Sequence, residues 1–402
     1  LLAYLLFLEL YDRGFARIAV LLLCCSPWFI FMSMSLMSHV ATLSFALAAA
    51  VLLARGRRNQ SYILFGLAGA MVGIVSLVRP LDGAIMALLL GIWTIAGREH
   101  LKQKIASAFA LVVGTFATVL IVLPYNLAVT GRATLMPIDA YYDKYFWPNV
   151  MALGFGPERG MGWGLDAFPG HSPFEAVING ALNIFQLNTE LFGWGLGSLA
   201  IVILVLAMRG GSRNDLWAWG AIVGVAGVYC LFWYHGGPDF GARYWFLSII
   251  PLIALTVSGI QWLSRKTSES TDGPDVRIAM AVVMLCLIST FVYIPWRASD
   301  KYFSYLGMQP GIRELARQHD FGRSLVLIRG TEHPDYQSAW IFNPVHFEGD
   351  APIYAHDKSP EIRAELLRIY GDRSIWIVDG PSIANGRYTV SQGPLAPNQI
   401  TD

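Results

Sequence analysis

The placement of arginine and lysine constrains this chain more than any other feature. Long apolar stretches are separated by turns, and every second turn is basic: Arg13 and Arg17, then Arg55, Arg57 and Arg58, then Arg98, Lys102 and Lys104, then Arg209 and Arg213, then Arg265, Lys266 and Arg277. A strict alternation of this kind is what the positive-inside rule produces in a chain that crosses a membrane repeatedly, with the basic turns on the cytoplasmic side. Composition agrees, since 55% of the 402 residues are hydrophobic and only 14% are charged, far from the balance of a soluble domain. The net charge of +1 says nothing about partners. No basic stripe suggests nucleic acid.

Whole apolar spans are expected at 17–36, 40–54, 62–78, 81–96, 105–123, 191–208, 216–234, 244–263 and 278–295, each near the roughly 20 residues that a helix needs to cross the hydrocarbon core. A partial span precedes them, because the chain starts at Leu1 inside an apolar run without Met or a signal sequence, and an N-terminally truncated fragment is expected. The fold class is therefore an α-helical polytopic membrane protein, residues 1–298, with a small extracytoplasmic α/β domain at 299–402. In that second domain strands are expected at 324–328 and 374–378 and a helix at 361–370. Cys24, Cys25, Cys230 and Cys286 lie in apolar spans, so neither a disulfide framework nor a zinc site is expected.

The non-basic turns carry the chemistry. Arg79-Pro80-Leu81-Asp82 joins two spans, with Pro80 suited to the first helical position and Asp82 to the first turn. It reads as a cap with a local ion pair, or as Arg79 facing an internal cavity and an anion, since ionisable residues at membrane depth are costly and usually functional. The turn from His235 to Tyr244, containing Asp239 and Arg243, has the same two readings: Arg243 pairs with Asp239, or Arg243 and the free N–H groups of a glycine-rich turn hold a phosphate. His39 follows a serine- and methionine-rich turn. It is a structural hydrogen-bonding residue, a metal ligand or an acid/base partner. The outward stretch 125–190 is too long for a plain connection and is rich in aromatic residues, either an interfacial belt or a lid for a sugar or isoprenoid chain. His319, His333, His346 and His356 lack metal-ligand spacing and read as surface residues.

Ser26-Pro27, Arg79-Pro80, Tyr125-Asn126 with Thr130-Gly131, and Gly241-Ala242-Arg243-Tyr244, in this order and all placed outward, resemble membrane glycosyltransferases of the GT-C superfamily. The resemblance covers residues 1–263 and is closest to the protein mannosyltransferase-like and lipid A aminoarabinose transferase-like branch. It implies an enzyme that takes a sugar from a polyprenyl-phosphate donor and passes it to a glycan, lipid or protein acceptor at the outer face, in the bacterial inner membrane. It also implies a catalytic acid in a first outward loop, upstream of Leu1, and a carrier-phosphate role for Arg79 and Arg243. Relatives carry a further acid where this chain has Ser38-His39, so His39 and Asp82 are the catalytic candidates within the sequence. A divalent metal, with His39 as its ligand, is a cofactor candidate. Tyr125, Asn126, His235, Asp239 and Tyr244 are the expected cavity residues. The competing classes are a secondary transporter or lipid flippase, disfavoured because no charge lies mid-span and no inverted repeat is visible, and a non-catalytic envelope assembly protein.

Overall fold

The computed structural model describes residues 1–97, 99–161, 170–207, 212–237, 240–267 and 275–400. Expectations placed on Arg98, Arg209 and Asp239 lie outside the described residues. The chain forms two compact units, Leu1–Pro295 and Trp296–Asp402.

The first unit is helical. Among the described residues four helices are long and apolar enough to cross a membrane, His39–Asn59, Leu101–Thr130, Arg243–Thr267 and Val276–Gly307. A fifth is added if the pair Arg13–Cys24 and Pro27–Met34, bent by 57°, counts as one span. Tyr62–Val78 and Pro80–Ile95 are shorter apolar helices. The expected span at 17–36 is therefore broken, and the reason is local. Pro27 cannot continue a helix from behind, while the Ser26 side chain accepts from Phe29 N at 3.2 Å and starts a new one.

The expected span at 191–208 is corrected more severely. Among its described residues only Ala200–Ala207 is helical, because Gly193 and Gly197 take positive φ values of 62° and 93°. Ser198 Oγ accepts from Phe192 N at 2.9 Å, and Asn188 Oδ1 from Leu199 N at 3.1 Å, within the irregular segment. The long stretch 125–190, in turn, contains an 18-residue helix, Pro173–Glu190, capped by Ser172. Its low hydropathy comes from a stripe of Glu175, Asn179 and Asn183, spaced to share one face and all buried.

Close backbone approach holds Tyr62–Val78 against Leu101–Val119. A Cβ placed on Gly69 would strike the Leu111 carbonyl, and one on Gly114 the Gly66 carbonyl. Small residues at such positions let apolar helices pack where lipid removes any hydrophobic gain from association.

The second unit is α/β. Its sheet has the order β2-β1-β3-β4, built from β1 (Ser324–Arg329), β2 (Ile353–His356), β3 (Ser374–Asp379) and β4 (Thr389–Leu395). The first three are parallel, and β4 runs antiparallel to β3. Alternation splits β1 between two cores: Val326 and Ile328 pack with Ile312, Ala339, Trp376 and Tyr388, while Leu325 and Leu327 pack with Ile353 and Ile375. Helices Gly311–Gln318, His333–Trp340 and Pro360–Ile369 accompany the sheet. Asp335, 1% exposed, fastens the loops at the ends of β1 and β3. It accepts from Ser382 N (2.9 Å), Ser382 Oγ (2.6 Å) and Glu332 N (3.0 Å). His356 is half-buried and stacks on Tyr336 at 3.9 Å.

Candidate functional site

Arg79 is the residue on which Tyr62–Val78 ends and Pro80–Ile95 begins. Pro80 supplies a pre-set φ at the first helical position, and Gly83 lies so close to Ser76 that a Cβ there would collide with it. The tight turn brings Arg79 Nε onto Asp82 Oδ2. Tyr229, at the far end of Arg213–Tyr229, closes the network: its hydroxyl donates to Asp82 Oδ1 at 2.6 Å and receives Arg79 Nη2 at 3.2 Å. The charge of Arg79 is thus matched within the protein. The ion-pair reading of this turn describes the geometry.

Arg243 is held differently. It opens a short 3₁₀ turn, Arg243–Ser248, that leads into Ile249–Thr267. Two glycines allow this placement: Gly236 (φ +108°), where a Cβ would lie 3.1 Å from both Arg243 Cγ and Tyr244 Cδ2, and Gly241 (φ +63°), which sits against Trp28. The Trp28 indole N–H donates to Phe240 O at 3.0 Å and ties the turn to the bent helix Pro27–Met34. Arg243 N and Trp245 N are spent on the carbonyls of Gly241 and Ala242, both at 2.7 Å, so these two N–H groups do not belong to the expected nest. The guanidinium remains. Its Nη1 reaches Met37 Sδ at 3.7 Å, its Cζ lies 5.7 and 5.6 Å from the ring centroids of Tyr234 and Tyr244, and its Nε has no hydrogen-bond partner. Among the described residues no carboxylate pairs with Arg243.

Tyr244 joins the two arginines, with Arg79 Cζ 5.2 Å from its ring. His39, at the first turn of His39–Asn59, is 6.2 Å from the same ring and 6% exposed. Both guanidinium groups act electrostatically on its imidazole. Neither ring nitrogen has a hydrogen-bond partner. A divalent cation does not fit here, since the charged neighbours of His39 are cationic and Asp82 is engaged by Arg79 and Tyr229. Among the described residues no group of three or more His, Cys, Asp or Glu could hold a metal.

His39, Arg79, Asp82, Arg243 and Tyr244 therefore come together, and sequence reasoning missed Tyr229, which completes them. The signal available was a tyrosine ending an apolar span. His235, 4% exposed, lines a neighbouring cavity of about 10 Å³ with Asn179, Asn183, Tyr229 and Tyr244, room for about one water. Asn179 Nδ2 donates there to Trp233 O at 3.0 Å, leaving its Oδ1 unpaired. Tyr125 and Asn126 are placed elsewhere. Asn126 Nδ2 donates to Ala133 O at 3.1 Å within its own turn, Tyr125 is 59% exposed, and neither takes part in the hydrogen bonds or ring contacts of the cluster.

An apolar cavity of about 190 Å³ lies one helical turn deeper. Four residues of the cluster have a lining residue four positions along the chain: His39 with Leu43, Asp82 with Met86, Tyr229 with Val225, Arg243 with Leu247. On an α-helix that spacing keeps the same face, which holds for His39, Asp82 and Tyr229, whereas Leu247 shares the short 3₁₀ turn of Arg243. The cluster thus adjoins an oily chamber along three helices and the Arg243 turn. Compared with family models, curated proteins and solved structures, the chain matches none.

Proposed function

We propose that this protein is an integral-membrane glycosyltransferase that transfers a sugar from a polyprenyl-phosphate donor to an acceptor at the outer face of the membrane. One observation carries the reading: the Arg243 guanidinium has no carboxylate partner among the described residues and shares its short turn with Leu247, which lines an apolar cavity. An uncompensated cation at low dielectric calls for an anion, and the adjoining chamber calls for a hydrocarbon chain on that anion.

In the transfer step the acceptor oxygen bonds to the anomeric carbon of the sugar as the C–O bond between that carbon and the lipid phosphate breaks, and the bonding pair leaves with the phosphate oxygen. A fixed guanidinium lowers the barrier because it meets charge that grows on the departing oxygen. Arg79, matched by Asp82, serves as a positioning residue that sets the Tyr244 ring. His39, with unengaged ring nitrogens, is the cluster's group for handling the acceptor proton.

The test is transfer of labelled sugar from a panel of polyprenyl-phosphate sugars by the protein reconstituted in proteoliposomes. Transfer by the wild type and its loss in Arg243→Ala are expected. Undiminished transfer by that variant, or no transfer from any member of the panel, overturns the reading.

A further inference from the structure

The apolar cavity has a measurable depth, and the depth specifies what part of a lipid it can read. Its lining runs from Leu43 to Ala50, from Met86 to Trp93, and from Val225 back to Asn214. At about 1.5 Å per helical residue this is about 10 to 16 Å. A carbon–carbon bond of about 1.5 Å advances an extended chain by roughly 1.3 Å, so the chamber accepts roughly eight to twelve backbone carbons. Volume gives an independent figure. The cavity is about 190 Å³, and an apolar protein cavity of about 150 Å³ holds one benzene, which corresponds to roughly eight carbons here.

We infer that the chamber grips a single prenyl chain over its first two isoprene units, counted from the phosphate, and takes no reading of the rest of the carrier. The inference rests on the lipid-phosphate reading of Arg243. One guanidinium beside the chamber, without a carboxylate partner among the described residues, suits one anionic head, and a chamber of this size has no room for the paired long chains of a glycerophospholipid. Branching favours the fit. The wall mixes small residues, Ala46, Ala50, Ala218 and Ala254, with Leu43 and Leu90, a relief into which methyl branches can settle. Gripping such a chain gains nothing from leaving water, because the bilayer solvates it equally well. The gain comes from dispersion contacts with the wall and stops where the wall stops.

Binding is measured on the purified protein in nanodiscs, as affinity per mole fraction of ligand in the membrane. The probes are dimethylallyl phosphate (C5), geranyl phosphate (C10), farnesyl phosphate (C15), undecaprenyl phosphate (C55) and dioleoyl phosphatidic acid. A gain of about tenfold or more from C5 to C10 is expected, then less than about threefold from C10 to C55, with phosphatidic acid about tenfold weaker than geranyl phosphate. Ala218→Leu narrows the chamber and should erase the step from C5 to C10 while C5 still binds. If it loses C5 as well, Ala46→Leu on the opposing wall makes the same test. Equal affinity for C5 and C10, or affinity that keeps climbing from C15 to C55, overturns the inference and leaves the phosphate reading standing. Failure of every prenyl phosphate to bind, with Arg243→Ala indistinguishable from wild type, removes both.

Discussion

Asp335 in the second unit and His39 in the first are both buried polar groups, and they are treated in opposite ways. In the second unit Asp335 is fully buried and fully engaged, its carboxylate accepting from Ser382 and Glu332. In the first, His39 is nearly as buried with both ring nitrogens idle, and Arg243 keeps its charge unmatched among the described residues. Burying polar groups without partners costs free energy. The α/β unit spends its buried carboxylate on holding two loops together. The helical unit leaves the His39 ring nitrogens and Arg243 Nε unpaired among the described residues, around one ring, Tyr244. The contrast also exists within the first unit, since Arg79 is satisfied by Asp82 and Tyr229, whereas Arg243, on the same Tyr244 ring, has no carboxylate partner among the described residues.

The comparison can be broken most directly at Arg243. Arg243→Ala should reduce sugar transfer by about a thousandfold, the scale of losing one preorganised charge-stabilising group, with the helical circular dichroism unchanged. Loss of helix together with activity would make Arg243 a structural residue and end the contrast. Asp335→Ala should act in the opposite sense. It leaves buried donors unpaired and should destabilise the second unit by about 3 kcal/mol, seen as a lower unfolding midpoint of that unit, with prenyl phosphate binding retained. Tyr229→Phe sharpens the comparison between the arginines. Removing a hydrogen bond to a charged group should cost about 1.5 kcal/mol in denaturation of the full chain, and Tyr229→Ala should cost more.

The smallest effect concerns His356. Burial holds its pKa below the ordinary histidine value, so the folded unit favours the neutral ring while the unfolded chain takes up a proton near pH 6.5. Stability of the second unit is therefore complete above about pH 6.5 and declines as pH falls below it. His356→Gln should flatten that decline in a thermal-melt series, and an unchanged slope would place the titration on another group.

Much of the site was legible because its residues sit where apolar runs stop. His39, Arg79, Asp82 and Arg243 are polar groups at the ends of spans, and expense at membrane depth singles them out. Tyr229 escaped notice because a tyrosine at the end of a span is also ordinary interfacial composition. The strands Ser324–Arg329 and Ser374–Asp379 announced themselves as short, β-branched and aromatic runs, and the helix Pro360–Ile369 as an amphipathic stretch. Ile353–His356 was too short to show a period, and Thr389–Leu395 contains Gly393-Pro394, which demotes a run to edge strand or loop. In the helical unit the largest misreading came from hydropathy itself. The stretch 191–199 is apolar yet turns on its glycines, while Pro173–Glu190 is a helix whose buried face is polar.

The glycine contact between Tyr62–Val78 and Leu101–Val119 bears on how this protein tolerates change. Gly69, Gly73 and Gly114 each stand where even one added methyl would meet the neighbouring helix, so a survey of all single substitutions would find a line of forbidden positions there. A tolerance map read without the structure would rank that line beside Arg243. The two kinds of intolerance separate under a graded series, because serine and alanine at the glycines should reduce the amount of folded protein in step with side-chain volume, whereas lysine at 243 should leave the amount unchanged and alter the turnover of each molecule.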